Sequence, residues 1–104
     1  MITRMENERR TDERVEKSLE ANWEGLSGRY QGRISDIGLG GCFIDTHGTV
    51  EVGEIVSFEI KLPEGGSLPL RGEVAFYHPN IGFSLCFTFL TDEEQEQIRQ
   101  LMTS

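Results

Sequence analysis

Ile81-Gly82-Phe83-Ser84-Leu85-Cys86-Phe87-Thr88-Phe89 places an apolar residue at every odd position and a small or polar one at every even position. A period of two is that of a strand with one face on a core. Working back, Leu68, Leu70, Val74 and Phe76 share one phase between Leu68 and Tyr77. Pro69 there suits a strand start or edge, where no donor is needed, and His78-Pro79-Asn80 makes a turn. Further back, Val56, Phe58, Ile60 and Leu62 oppose Ser57, Glu59 and Lys61, until Pro63-Glu64-Gly65-Gly66-Ser67 stops the run. From Val15 to Glu24, Val15, Lys17, Leu19, Ala21 and Trp23 form one face, with Lys17 its only exception. Gly25-Leu26-Ser27-Gly28 reads as a turn into a second strand over Arg29 to Asp36, which carries Tyr30 and Ile34. A third short strand spans Cys42 to Thr46 and ends at His47-Gly48-Thr49. About six strands at short spacing predict a closed antiparallel barrel or a sandwich rather than a parallel sheet.

The period changes after Thr91. Thr91 followed by Asp92-Glu93-Glu94 is an N-cap with a capping box and an acidic first turn, and Ile98, Leu101 and Met102 form a helical stripe. A C-terminal helix is expected over about 91–103. Residues 1–14 are polar and without apolar period, so they read as a mobile arm, with residues 15–104 as the folded domain.

The chain has 104 residues, enough for one domain with a modest core and no need of metals or disulfides. Cys42 and Cys86 stand far apart and outside any Cys-x-x-Cys pattern, which gives no metal or redox signature and favours two buried thiols. The N-terminus lacks the apolar segment of a signal peptide and no run is long enough to span a membrane, so the expected location is cytoplasmic. Ten Lys and Arg stand against 18 Asp and Glu, a formal net charge of -8. Such a surface repels DNA and RNA polymers, whose binding needs many phosphates neutralised, yet a local arginine cluster can still hold a small anion.

Catalytic patterns are missing. His47 and His78 fall in expected turns without a His-x-x-x-His or Gly-x-Ser-x-Gly arrangement, and Asp36 and Asp45 have no helper base or metal site beside them. Asp36-Ile37-Gly38-Leu39-Gly40-Gly41 is the unusual stretch, with three glycines in four positions. Its glycines serve backbone shape or close approach to the main chain. A nucleotide-binding glycine loop would feed a helix, whereas Cys42-Phe43-Ile44 is β-like, so a tight turn between strands is expected. Arg9, Arg10 and Arg14 cluster upstream with Asp12 and Glu13 among them. A guanidinium grips phosphate oxygens with two bonds and pairs equally with the O6/N7 edge of guanine; the same cluster also fits a solvated, charge-mixed arm. Arg29 and Arg33 either extend this basic face or simply face water.

Arg10-Thr11-Asp12-Glu13-Arg14, preceded by Arg9, resembles the Arg-x-x-x-Arg motif of PilZ domains. Asp36-Ile37-Gly38-Leu39-Gly40-Gly41 is similar to their second motif, Asp/Asn-x-Ser-x-x-Gly, in the right order and at the right place between strands two and three. Val52-Gly53-Glu54, Gly72-Glu73-Val74 and Ile81-Gly82-Phe83 extend the likeness over nearly the whole chain.

The resemblance implies a six-stranded antiparallel β-barrel of the split-barrel type with a C-terminal helix, acting without catalysis or cofactor as a receptor for cyclic di-GMP. It further implies that Arg9, Arg10 and Arg14 clamp phosphates and guanine, that Asp36 accepts from guanine N–H groups or from an arginine, and that Gly41 leaves space for the ligand. An effector protein in motility, secretion or polysaccharide synthesis is the implied partner. Gly38 departs from the pattern, which has serine there. The missing hydroxyl removes one hydrogen bond, worth roughly 0.5 to 1.5 kcal/mol, or about a factor of two to twelve in affinity. The alternative expectation is therefore a PilZ-like interaction module that does not take the ligand.

Overall fold

Alternation in the first strand turns Trp23 inward, where it is the largest of the fully enclosed side chains. The computed structural model describes residues 13–104. Its elements are β1 (Arg14–Gly25), β2 (Gly28–Gly38), β3 (Gly41–Asp45), β4 (Ile55–Lys61), β5 (Ser67–His78), β6 (Gly82–Phe87) and helix α1 (Asp92–Thr103). All pairings are antiparallel, and the strands close into a barrel in the order β1-β2-β3-β6-β5-β4. Of the two architectures that the alternation allowed, the barrel is the one adopted. Closure comes from β1 pairing with β4, with Ala21 opposite Ile60 and Trp23 opposite Phe58, so no strand edge is left along that seam.

Trp23 stacks on Tyr30 at 4.6 Å between ring centroids and meets Phe83 edge-on at 4.9 Å. Ile34, Ile37, Ile44, Val56, Ile60, Val74 and Leu85 complete the interior. Gly48 is needed beside this cluster, because a β-carbon there would fall on the indole of Trp23 and 2.8 Å from Tyr30.

Three register shifts interrupt the ladders, and those in β2 and β5 break the two-residue phase of burial. β1 bulges between Glu16 and Leu19, β2 between Ile34 and Asp36, and β5 between Val74 and Phe76. A bulge adds one residue to one strand and turns the following side chains to the other face. In β2 this buries both Ile34 and Ile37 while leaving Asp36 outside, half-buried. In β5 it corrects the expectation for Phe76, which lies on the outer face and is 66% exposed instead of joining Val74 in the core. The β6 alternation is also shorter than the sequence pattern. Ile81 sits in a turn after Asn80 (φ 67), and Phe89 has left the strand with a left-handed backbone (φ 55); both are exposed. Cys86 is likewise exposed, whereas Cys42 is buried as expected.

Helix α1 starts as its sequence predicts. Thr91 accepts from the Glu94 amide at 3.0 Å, and Glu94 accepts from the Thr91 amide at 3.0 Å. Ile98 and Leu101 are buried against β1 and β2. The exception on the inner face of β1 is also explained. Lys17 donates its Nζ to the Ser104 carbonyl at 2.5 Å, supplying the positive charge that the last turn of α1 lacks.

Candidate ligand-binding site

The outermost rung of the β1–β2 ladder pairs Arg14 with Gly38, and two rungs inward Glu16 faces Asp36. This register brings the end of the first motif onto the second. Arg14 Nη1 donates to Asp36 Oδ1 at 3.2 Å, and each side chain is 34% exposed. Half-open to water, such a pair contributes at most about 1 kcal/mol. Its value lies in orientation, since it holds a guanidinium at the surface with donors left for a second acceptor.

Two glycines form the floor beneath that guanidinium. A β-carbon at Gly38 would lie 3.1 Å from Arg14 Cγ, and one at Gly41 would lie 3.1 Å from Arg14 Nη2. Each glycine is also fixed by backbone. A β-carbon at Gly38 would overlap the Glu13 carbonyl oxygen, and one at Gly41 would overlap that of Leu85 on the neighbouring strand β6. Gly41 thus first serves the close approach of β3 to β6, beyond any room it leaves above the sheet.

Cys42, next to Gly41 and opposite Ile37, points into the core. Burial pushes its thiol well above the ordinary value of 9.0, with the Arg14 charge drawing it down and Asp36 raising it further. It stays protonated and is no nucleophile.

Arg9 and Arg10 lie outside the described residues. Arg29 pairs with Glu24 at 3.4 Å near the far end of β1. Arg33 faces Glu20 and Asp45 and lines a cleft of about 350 Å³ with Lys61. Both stand away from Arg14, so neither extends its basic face. A larger cleft of about 590 Å³ runs beside Trp23, Tyr30, Phe58 and Pro69. Neither cleft includes Arg14, Asp36, Gly38 or Gly41, which occupy an open corner of the barrel.

Beside Asp36, across the ladder, is Phe43. Its ring is 6.2 Å from His78, which stacks on Phe76 at 6.1 Å. This outer aromatic row leaves no cue in the alternation, because Phe76 shares the core phase until the bulge shifts it. Among the described residues, no group of three or more His, Cys, Asp or Glu side chains is placed to hold a metal ion, and no helix is long and apolar enough to cross a membrane.

Similar folds are known. The PilZ domain of CeSA from a cellulose-synthesising bacterium superposes with a TM-score of 0.69 at 15% identity, over 88% of this chain and 95% of that one. The PilZ domain of YcgR from Escherichia coli, solved with c-di-GMP, gives 0.72 at 12% identity over 88% and 86%. The inhibitor of motility MotI/DgrA of Bacillus subtilis gives 0.72 at 17% identity; 86% of this chain covers 47% of that one. At these identities the likeness establishes the fold. No curated protein matches the sequence. The PilZ domain model, however, matches residues 8–104. That match spans most of the chain, and the chain belongs to the PilZ domain family.

Proposed function

We propose that the protein is a non-enzymatic receptor for cyclic di-GMP that signals through a partner protein in the cytoplasm. The observation that carries this reading is the seat of Arg14, held by Asp36 at 3.2 Å over the bare backbone of Gly38 and Gly41. Arg14, the end of the first motif, thereby shares one open corner with the second motif, and in this reading a flat, doubly anionic ligand enters there. Arg9, Arg10 and Arg14 take its phosphates and guanine edges through charge-assisted forks. Asp36 accepts from guanine N–H groups, and the two glycines let the ligand lie close to the sheet. The YcgR domain with c-di-GMP bound supports this ligand for the fold, and the MotI neighbour supports motility as one output. In this reading the ligand is sensed and not turned over.

Isothermal titration with cyclic di-GMP tests the reading, with Arg10→Ala and Arg14→Ala as controls. Saturable binding at micromolar concentration or below, weakened about tenfold or more in both variants, is expected. Gly38 favours a second reading, a protein-interaction module without ligand, since it lacks the hydroxyl of the family pattern. Absence of heat and of thermal shift at high ligand concentration would select that module.

A further inference from the structure

Glu13 and Arg14 pass directly over Gly38. Arg14 and Gly38 are opposite each other as the last rung of the β1–β2 ladder, and the Glu13 carbonyl occupies the place where a side chain at 38 would begin. Gly38 does not have a left-handed backbone, so what it supplies here is space. The obstacle it avoids is a main-chain carbonyl, which cannot swing aside as the tip of a flexible side chain can.

We infer that Gly38 is a positioning residue for Arg14: its bare α-carbon lets the chain at Glu13–Arg14 zip onto β2 before any ligand arrives. Arg14 is then already laid over Gly41 and against Asp36 in the ligand-free protein. A serine at this position would add a hydroxyl and remove that rung, so the departure from the family pattern exchanges one contact for a pre-seated arginine. Pre-seating raises affinity because the cost of ordering Arg14 is met on folding instead of on binding. The role in capture rests on the receptor reading, whereas the rung itself is a property of the free chain.

The experiment separates the two. In ligand-free protein, cross-strand nuclear Overhauser contacts between Arg14 and Gly38 are compared in wild type, Gly38→Ala, Gly38→Ser and Asp36→Ala, with Leu19–Ile34 in the same ladder as the control for folding. The 14–38 contacts are expected in wild type and Asp36→Ala and absent from both Gly38 variants, while 19–34 persists in all four. Contacts retained in Gly38→Ala would overturn the inference. Titration with cyclic di-GMP follows, and Gly38→Ala is expected to bind about tenfold more weakly than wild type. Unchanged affinity with the rung lost would overturn pre-seating. A wild-type protein that takes no cyclic di-GMP would overturn the receptor reading instead, and the Overhauser comparison would still decide the rung.

Discussion

The indole Nε1–H of Trp23 donates to the hydroxyl of Thr46 at 3.0 Å, and that hydroxyl donates in turn to the Gln31 carbonyl at 2.9 Å. One side chain thus satisfies a polar atom from β1 and another from β2 at the end of the barrel opposite Arg14. The chain of bonds is closed, with no buried side-chain polar atom among the described residues left without a partner. Thr46 is the residue on which both depend.

Thr46→Val keeps the volume and removes the hydroxyl. Trp23 Nε1 then loses its partner in a buried setting, which costs about 1 to 3 kcal/mol, and the Gln31 carbonyl loses its own in a part-buried one. Urea unfolding followed by Trp23 fluorescence is expected to show that loss with an unchanged slope. A change within about 0.5 kcal/mol, the range of an inert surface substitution, would mean that water replaces the hydroxyl.

Lys17→Met retains the apolar stem and removes the charge at the end of α1. The expected loss is about 0.3 to 1 kcal/mol at low salt, shrinking as salt is raised. Amide exchange in the last turn of α1 should quicken while that of Trp23 and Phe83 stays slow. Exchange unaltered at that turn would show that Ile98 and Leu101 alone fix the helix.

How much of this was legible in the sequence depended on the range of the interaction. The capping box of Thr91 and Glu94 spans three residues and is read directly. Strand alternation is also local, and it located the core faces of β1 and β4 and most of those of β5 and β6. Phase failed where a partner strand decides it, as at Phe76, because a bulge is a mismatch between two strands and leaves no mark on one. Lys17 was visible as an exception, but its acceptor lies 87 residues away. The candidate site was legible as two motifs in order, and the Arg14–Asp36 pair follows from them. That Gly38 is matched to the Glu13 carbonyl required the register of β1 on β2.

The two cysteines should differ sharply in reactivity. Cys86 is exposed and Cys42 is enclosed, with burial raising its thiol above the ordinary 9.0. A thiol reagent in native buffer is expected to label one group promptly and the second only on unfolding. Because the folded state holds the Cys42 proton more tightly, stability from this group is fully present below about pH 9 and falls as pH rises beyond it. Two equally fast thiols would show that the β2–β3 corner opens readily.

Gly41→Ala and Arg14→Ala separate packing from recognition at the same corner. A methyl at position 41 is forced onto the Leu85 carbonyl, so β3 and β6 must part; the expected cost is about 1 to 3 kcal/mol or more. Arg14→Ala removes only a half-exposed ion pair, and its stability should fall by less than about 1 kcal/mol. Its loss of charge-assisted bonds to cyclic di-GMP, worth about 1.5 to 3 kcal/mol, should nevertheless weaken binding by about 10- to 150-fold. Paired urea unfolding and titration measure both quantities on each variant. Were Arg14→Ala to lose several kcal/mol of stability while binding as wild type, the arginine would be a structural clasp and the ligand would have to sit elsewhere on the barrel.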